Sequence, residues 1–338
     1  MDMIRFAIVG TGRISDWILK GAAQEPRFKA VAVCSRTEEN ARAFISKHSD
    51  QFGLDALVFT DIDALAACPE VDAVYIGTPN STHLPYTLKC LEAGKHVLCE
   101  KPLGLNEEEV ARMTGAARSS GRVLMEAMIS TLNPNFRAAA DLLSQIGAVR
   151  HYSSSFCQYS SKYDALKKGV VANSFNPKMG GGALPDVGIY TTYPLIRLFG
   201  YPDEVHSDLL NVPTAEGDVN IHGNVSLKYG SSMTANLAFS KAVDSSLPTE
   251  ICGENGNIKI DQIHIARKVT LRPHGVPQSG RAALPEEQVI GEGLEYDEYY
   301  YEFKEFIDTV EGGLGESPVN SLETSLLNAR LMDAIKCG

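Results

Sequence analysis

Two short groups of residues combine side chains that could stabilise charge and move a proton. One is Glu100-Lys101-Pro102, which follows an apolar run, and the other is Asp186-Val187-Gly188-Ile189-Tyr190. An ammonium such as that of Lys101 can stabilise a developing negative charge, and a phenol with an ordinary pKa of about 10 can donate a proton at neutral pH. Asp186 and Tyr190 are four positions apart and share one face of a helix if the helix has begun there. Lys101 and Tyr190 are therefore candidate catalytic residues, and the alternative for Tyr190 is packing of an amphipathic helix.

A glycine-containing run, Gly10-Thr11-Gly12-Arg13-Ile14-Ser15, follows the first predicted strand and opens the first predicted helix. In a dinucleotide-binding loop the first glycine permits a tight turn, and the second lets the backbone approach a pyrophosphate at the helix N-terminus. Ser15 replaces the usual third glycine, which suggests a looser contact between helix and strand. An ordinary turn is the alternative. The predicted cofactor-binding residues of this loop are Gly10, Thr11, Gly12, Arg13 and Ile14.

The residues after the second predicted strand indicate which dinucleotide is preferred. A site specific for NAD usually places an acid there to bind the ribose 2′-OH, but this chain has Cys34-Ser35-Arg36-Thr37. Ser35 and Thr37 can donate hydrogen bonds to a 2′-phosphate, and Arg36 can supply charge. The run therefore favours NADP(H), with NAD(H) still possible. The alternative is that Arg36 is a solvated surface charge.

Two further polar stretches, Gly77–His83 and Glu100–Pro102, follow the fourth and fifth predicted strands. Open α/β sheets bind their ligands at the carboxyl ends of strands, so both stretches lie where a ligand is expected. A lysine fixed between a buried strand and a proline is unusual for a merely solvated charge. For His83, a functional role and hydrogen bonding to local backbone groups are equally good interpretations.

The first 128 residues alternate short apolar runs with helical patterns, which predicts an α/β Rossmann domain with a doubly wound parallel sheet. In residues 129–338 the pattern changes, because Ile221–Tyr229 and Met233–Phe239 alternate apolar and polar side chains. This predicts an α+β domain with an open, mainly antiparallel sheet. Its last helix, near 320–336, could pack back on the first domain, and Asn320 with Glu323 resembles a capping box for it.

The predicted bounds of the elements within these domains are as follows. Strands are predicted at Ile4–Val9, Lys29–Cys34, Leu57–Thr60, Ala73–Ile76, His96–Cys99 and Val123–Ala127, and helices at Ser15–Gln24, Glu38–His48, Ile62–Ala67, Ser81–Ala93, Asn106–Ser120 and Asn133–Ile146. In the second domain, Glu254-Asn255-Gly256-Asn257 predicts a hairpin with a type I′ turn. Gly275–Leu284 predicts a loop.

Composition excludes several classes of protein. The 338 residues are 44 % hydrophobic and 22 % charged, as in ordinary globular domains, and the net charge of −11 leaves no basic field for a nucleic acid. The chain enters an apolar strand at once and has no apolar stretch of membrane-spanning length, so a cytoplasmic protein without membrane association is expected. Seven scattered cysteines form no metal-ligand pattern, so neither a metal site nor a disulfide is expected.

Gly-x-Gly-x-x-Ser from residue 10, Glu100-Lys101-Pro102 and Asp186-x-Gly-x-Tyr190 together resemble the Gfo/Idh/MocA oxidoreductases, over nearly the whole chain. The run Gly180-Gly181-Gly182-Ala183-Leu184 and the pair Glu126-Ala127 are most similar to the branch of dimeric dihydrodiol dehydrogenase, NADP-dependent D-xylose dehydrogenase and glucose-fructose oxidoreductase. The resemblance implies hydride transfer between a nicotinamide cofactor and a sugar, polyol or related carbonyl or hydroxyl substrate.

The same resemblance implies particular roles for the residues. Lys101 would lie beside the nicotinamide and the reacting oxygen, and its bond to Pro102 is often distorted or cis in relatives. Tyr190 would be the general acid/base where many relatives use His, and Asp186 would orient the substrate or the Lys101 ammonium. The open sheet would form a homodimer or homotetramer. Further cofactor-site positions implied by the resemblance are Thr78, Asn80, His83 and Glu100.

One departure from that branch concerns the substrate. Relatives typically continue Glu-Ala with Trp-Thr-Arg-Phe, whereas this chain continues Met128-Ile129-Ser130-Thr131-Leu132. The missing aromatic and Arg make an aromatic diol less plausible than a sugar or polyol. A reductase of a non-sugar carbonyl or imine and a non-catalytic NADP-binding regulator stay open as alternatives, although a regulator would need neither Lys101 nor Tyr190.

Overall fold

The computed structural model describes residues 3–275 and 285–338, and their contacts divide the chain into two compact units. The first unit comprises Met1–Ile129 and Tyr296–Ala329, and the second comprises Ser130–Glu295 and Arg330–Gly338. The units differ from the predicted domains because residues 296–329 return to the first unit, a longer segment than the last helix alone. The loop predicted at Gly275–Leu284 lies outside the described residues from position 276 onward.

The first unit is built on a six-stranded parallel sheet with the strand order β3-β2-β1-β4-β5-β6. The order reverses between β1 and β4, and such a reversal creates the crevice in which doubly wound sheets bind ligands. The predicted Rossmann sheet is therefore confirmed. Its strands are β1 (Ile4–Val9), β2 (Phe28–Cys34), β3 (Phe52–Phe59), β4 (Ala73–Ile76), β5 (His96–Glu100) and β6 (Leu124–Ala127).

The second unit contains an eight-stranded sheet with the order β14-β13-β12-β11-β7-β10-β9-β8. β7 and β10 pair in parallel, and the other neighbours pair antiparallel, which confirms the predicted open, mainly antiparallel sheet. Its strands are β7 (Val149–Cys157), β8 (Glu204–Val212), β9 (Val219–Tyr229), β10 (Met233–Ser240), β11 (Thr249–Gly253), β12 (Gly256–Ile260), β13 (Lys268–Pro273) and β14 (Gln288–Glu292).

The α-helices of the described residues largely follow the predicted pattern in the first unit. The segment predicted as one helix at Asn133–Ile146 ends as an α-helix at Asp141 and continues in a 3₁₀ turn at Leu143–Gln145. The helices are α1 (Arg13–Ala22), α2 (Glu38–Lys47), α3 (Ile62–Ala66), α4 (His83–Glu92), α5 (Glu107–Ser120), α6 (Ile129–Leu132), α7 (Pro134–Asp141), α8 (Tyr163–Lys167), α9 (Ile189–Phe199), α10 (Tyr300–Glu311) and α11 (Leu322–Cys337).

The structure corrects two local predictions. The β11–β12 hairpin exists, but its loop is Glu254-Asn255, and neither Asn255 nor Gly256 has a positive φ, so the turn is not type I′. The N–H of Asn255 donates to the Ile146 carbonyl at 2.7 Å, a tertiary bond that fixes the turn differently. The second correction concerns α11, where the Ser321 hydroxyl accepts from the Thr324 N–H, whereas the Asn320 side chain donates to the carbonyls of Glu126 and Met128.

Candidate active site

The glycine loop lies at the carboxyl end of β1, where the strand order reverses. Gly10 has φ +98°, and a Cβ there would lie 2.5 Å from the Gly77 carbonyl oxygen, so only glycine fits. Gly12 caps the N-terminus of α1, and a Cβ on it would meet nothing within 4 Å. The first-turn N–H groups of a helix have no partner within the helix and attract anions. The loop therefore combines close backbone packing on one side with an open approach to the α1 N-terminus on the other.

Ser15, which replaces the third glycine of the pattern, is fully buried, and its Oγ has no hydrogen-bond partner among the described residues. It faces Gly77, where an added Cβ would lie 3.1 Å from Ser15 Oγ and 2.8 Å from a ring carbon of Tyr75. Ser15 is accommodated because residue 77 has no side chain. Sequence analysis did not assign this role to Gly77, and only the packing across the strand reversal reveals it.

The residues after β2 carry one exposed positive charge and several hydroxyls. Ser35 Oγ lies 3.2 Å from Thr11 Oγ1, which joins the end of β2 to the glycine loop. Arg36 is exposed and forms no ion pair with any residue that the structure describes. The Thr37 hydroxyl accepts from the Asn40 N–H and caps α2. An anion at this edge would meet a guanidinium and hydroxyl donors.

His83 connects the two loops that follow β4 and β5. Its Nδ1 lies 2.8 Å from the Pro102 carbonyl oxygen, and its Nε2 lies 3.0 Å from the Thr78 carbonyl oxygen. Burial lowers the pKa of His83, and a neutral imidazole has one N–H to donate to one of these carbonyls at a time. Since the ring has no exposed surface, His83 satisfies backbone groups, the alternative interpretation of the sequence. It would support a ligand site by holding Thr78 and Pro102.

The loop that contains Thr78 is held by its own hydroxyls. Thr78 Oγ1 lies 2.6 Å from Thr82 Oγ1, which also donates to the Pro79 carbonyl at 2.7 Å. Asn80 begins the 3₁₀ turn Asn80–Thr82 and is half-buried. Thr78 and Asn80 therefore stand at the carboxyl end of β4, next to the strand reversal, as the sequence predicted for the loop.

Lys101 emerges half-buried from the end of β5, and its backbone is anchored by the preceding glutamate. Glu100 is buried, its Oε1 accepts from the Tyr75 hydroxyl at 2.6 Å, and its Oε2 accepts from the Lys101 N–H at 3.2 Å. The peptide bond between Lys101 and Pro102 is cis, as the family resemblance suggested. Glu100 thus orients the backbone of Lys101 from within the protein.

Two buried carboxyls lie near this strand end, and neither was predicted as a site residue from the sequence. Glu302 on α10 is fully buried, its oxygens have no partner among the described residues, and burial together with the Glu100 charge raises its pKa well above the ordinary range. Glu126 on β6 accepts from the Leu103 N–H at 2.9 Å, and burial raises its pKa to about 7. The local sequence does not indicate that these carboxyls are buried, because their burial depends on α10 and α11 returning to the sheet.

In the second unit, Asp186 lies in a π-helical turn, Leu184–Gly188, that leads directly into α9, and Tyr190 lies in the first turn of α9. Close packing explains the glycine run before this turn. A Cβ on Gly181 would lie 2.6 Å from the Asn173 carbonyl oxygen, and Gly182 has φ +140°. The run therefore lets the helical segment dock closely on the loop that contains Asn173.

The structure places the ammonium of Lys241 on Asp186, with Nζ 2.6 Å from Asp186 Oδ2. The Lys241 side chain is 3 % exposed, whereas the Asp186 side chain is 40 % exposed. The resemblance assigned to Asp186 either the substrate or the Lys101 ammonium, and Lys241 was not considered. No sequence signal marks Lys241, because it follows β10 as an apparently ordinary residue.

Tyr190 sits in an aromatic cluster of the second unit. Its ring meets Phe156 edge-on at 5.5 Å and His264 at 6.2 Å, and Phe156 and His264 stack at 4.1 Å. Burial lowers the pKa of His264 to about 4, so its ring is neutral at pH 7, and its Nδ1 has no partner among the described residues. The phenol is therefore bordered by uncharged rings, and His264 is a neighbour of candidate residue Tyr190 that sequence analysis did not consider.

Across residues 3–275 and 285–338, no three His, Cys, Asp or Glu residues are grouped so that they could hold a metal ion. No helix in the same residues is both long and apolar enough to cross a membrane.

Both halves of the chain match models of known protein families. The family of oxidoreductases with an NAD-binding Rossmann fold, Gfo/Idh/MocA, matches residues 4–128, and the Gfo/Idh/MocA C-terminal domain matches residues 136–259. These matches accord with the strand reversal, the glycine loop and the cis Lys101-Pro102 bond described above. The chain belongs to the Gfo/Idh/MocA family of oxidoreductases.

Individual relatives match over nearly their whole length. The chain is 40 % identical to scyllo-inositol 2-dehydrogenase (NADP(+)) IolU of Bacillus subtilis, covering 98 % of this chain and 95 % of that protein. It is 28 % identical to D-xylose 1-dehydrogenase (NADP(+)) 2 of Haloferax volcanii, covering 98 % and 95 %. The crystal structure of KijD10, a 3-ketoreductase from Actinomadura kijaniata in complex with NADP and TDP-benzene, superposes with a TM-score of 0.83 at 26 % identity, covering 100 % and 98 %.

Proposed function

We propose that this protein is an NADP(H)-dependent oxidoreductase that acts on a CH–OH group, or the matching carbonyl, of a polyol or sugar. The observation that carries the proposal is the edge formed by the glycine loop and the end of β2. Exposed Arg36 stands there beside Ser35, which contacts Thr11 of the loop, and the four residues Cys34–Thr37 contain no acid. Two relatives whose names specify NADP(+) support the same choice.

The residues of the first unit fit the parts of this cofactor. Gly10 and Gly12 let its pyrophosphate approach the N–H groups of α1, flanked by Thr11, Arg13 and Ile14. Ser35, Arg36 and Thr37 bind the 2′-phosphate by charge and hydroxyl donation. Thr78 and Asn80 would contact the cofactor at the carboxyl end of β4, next to the strand reversal, while buried His83 and Glu100 hold the backbone there. When bound, NADP(H) supplies or accepts the hydride.

The protein's own side chains handle charge and proton. Lys101 stabilises the negative charge on the substrate oxygen, and Tyr190 gives that oxygen a proton in reduction or removes one in oxidation. Asp186, a charged residue of the second unit, orients the reacting groups. The two rings that border Tyr190, Phe156 and His264, carry no charge that would compete with the substrate for its proton.

For the substrate we propose an uncharged cyclitol, polyol or sugar, with scyllo-inositol as the first compound to test. The 40 % identity to a scyllo-inositol 2-dehydrogenase supports this order, and the Met128–Leu132 segment argues against an aromatic diol. A panel should also contain D-xylose, keto sugars, and non-sugar carbonyls and imines. Turnover of the non-sugar carbonyls or imines alone would favour the alternative, a reductase of non-sugar substrates.

The test is a titration of the protein with NADPH and NADH, followed by quenching of its single tryptophan, Trp17. We expect tighter binding of NADPH, and Arg36→Ala to weaken NADPH binding about tenfold or more while leaving NADH binding unchanged, because one charged hydrogen-bonding partner is lost. Arg42→Ala, which removes an exposed arginine of α2 paired with Glu38, is the matched control.

Tighter NADH binding would contradict the 2′-phosphate assignment and leave the oxidoreductase intact. Binding of neither cofactor would overturn the proposed function. NADPH binding without turnover of any compound in the panel would favour a non-catalytic regulator.

We also propose that the open face of the second sheet pairs with a second copy to form a homodimer or homotetramer. That face carries small polar side chains, among them Ser153, Asn224 and Ser226, together with exposed Leu210 and Leu247. Flat faces of this kind bury large areas when two copies associate. Light scattering after gel filtration should give a dimer or tetramer mass, and Leu210→Asp should lower it. A monomeric wild-type mass would contradict this assembly.

A further inference from the structure

Lys241 is a lysine almost completely removed from solvent. It directly follows β10, its N–H donates to the Ile221 carbonyl at 2.9 Å, and its own carbonyl accepts from the Ser160 N–H at 2.9 Å. Its side chain is 3 % exposed. An ammonium loses several kcal/mol of hydration when it is buried, so it persists inside a protein only where charged or polar groups compensate.

The contacts of the Lys241 ammonium include a carbonyl, a carboxylate and an aromatic ring. Nζ donates to the Ser174 carbonyl at 2.6 Å and to Asp186 Oδ2 at 2.6 Å, and it lies 4.0 Å from the centre of the buried Phe175 ring. A desolvated cation over an aromatic face is attracted to the ring electrons. The ammonium is therefore fixed in place, while the carboxyl that it contacts remains 40 % exposed.

The contact also joins the glycine run to the candidate active site. The Ser174 carbonyl that receives Lys241 also accepts from the Gly182 N–H at 3.1 Å, and Gly181 packs without a side chain on the same loop. One carbonyl therefore positions both the start of the helical segment and the cation beneath Asp186. Four residues after Asp186, the same segment carries Tyr190.

We propose that Lys241 is a positioning residue that holds the Asp186 carboxylate in one orientation for the reaction at Tyr190. This inference rests on the function proposed above, because Lys241 acts only through Asp186. A short, charged bond from Asp186 Oδ2 to an ammonium that is itself held by the Ser174 carbonyl restricts the rotation that a half-exposed aspartate otherwise has.

A purely structural role of Lys241 would predict that Lys241→Met loses stability, whereas the positioning role predicts that it loses turnover. Buried ion pairs contribute little net stability compared with apolar groups of the same size, so Lys241→Met should leave folding nearly unchanged, since the remaining Asp186 carboxylate can be solvated. Its effect should appear in turnover. Lys241→Arg, which keeps the charge, should restore part of the activity lost in Lys241→Met.

The experiment measures kcat and KM with scyllo-inositol and NADP⁺, or with the best substrate of the panel, in the full-length protein. We expect Lys241→Met to lower kcat about 10- to 100-fold, the value of a hydrogen bond to a charged group, with NADP⁺ binding unchanged. In an Asp186→Asn background the same substitution should lower kcat less than about threefold, because the partner is already lost. Lys178→Met, which breaks the exposed pair with Glu216 in the same unit, is the control and should retain wild-type kcat.

Two outcomes would overturn the inference. An unchanged kcat in Lys241→Met, or an equal loss with and without Asp186→Asn, would mean that Lys241 does not act through Asp186. If Asp186→Asn and Tyr190→Phe also left kcat unchanged, the catalytic roles in the proposed function would fall as well. Lowered kcat in those two variants with an unaffected Lys241→Met would overturn the positioning role alone.

Discussion

At the scale of single residues, the candidate catalytic groups are held by neighbours whose orienting contacts the sequence pattern does not reveal. Glu100 anchors the backbone of Lys101, and Glu100 is itself held by the hydroxyl of Tyr75. Asp186 is held by buried Lys241. The side chains proposed to meet substrate and cofactor remain partly exposed, while those that orient them are buried, which is the arrangement that a preorganised site requires.

Lys101→Met should lower kcat by about two to four orders of magnitude, because the variant loses the charge that stabilises the substrate oxygen while keeping a similar length. NADPH affinity should change little. Stopped-flow absorbance of the nicotinamide and the fluorescence titration measure the two quantities. Lys89→Met, which removes an exposed lysine paired with Asp63, is the control. Turnover equal to that of the wild type would remove Lys101 from the mechanism.

At the scale of elements, the β1–α1 and β4–α4 connections depend on three positions with little or no side chain. Gly10 and Gly77 pack against each other across the strand reversal, and Ser15 fills the space that Gly77 leaves. Gly12 has no such contact and borders open space at the α1 N-terminus. The same glycine motif therefore contains one residue needed for packing and one needed for ligand approach.

Gly10→Ala should consequently affect stability, whereas Gly12→Ala should affect cofactor binding. Gly10→Ala should destabilise the protein by about 1–3 kcal/mol, because it combines a positive φ with a clash on the Gly77 carbonyl. Gly12→Ala should change stability by less than about 0.5 kcal/mol and weaken NADPH binding. Urea denaturation and the fluorescence titration separate the two effects. A destabilised Gly12→Ala variant with normal NADPH affinity would contradict the assignment.

At the scale of the whole molecule, the segment 296–329 determines the interior of the first unit. It returns to the Rossmann sheet after the second unit and brings α10 with Glu302, and the start of α11, to the sheet. This return encloses the carboxyls near β5 and β6. The pH dependence of stability should therefore report on the enclosure.

Glu126 has a folded-state pKa of about 7, above its ordinary value of 4.5. Between these values the unfolded chain releases the proton that the folded protein keeps, so stability falls as the pH rises through this interval. At about 1.4 kcal/mol per pH unit, the loss from this residue reaches on the order of 3 kcal/mol at pH 7. Glu126→Gln should remove it, so the Tm difference between variant and wild type should grow from pH 5 to pH 7. A pH-independent difference would show that Glu126 is not enclosed.

The sequence by itself determined the order of strands and helices in the first unit, the class of each sheet and the glycine loop. These features follow from local periodicity and turn chemistry, which act within a few residues of the chain. It also favoured NADP(H), in agreement with the relatives whose names specify that cofactor.

Only the tertiary structure decided the partners of the charged groups. Lys241 and Asp186 are 55 positions apart, Glu100 and Glu302 are 202 apart, and the turn after β11 is fixed by a bond from Asn255 to the distant Ile146. Whether a carboxyl or an ammonium is buried depends on which segments fold over it, and burial sets its charge and orientation. No pattern of neighbours along the chain contains that information.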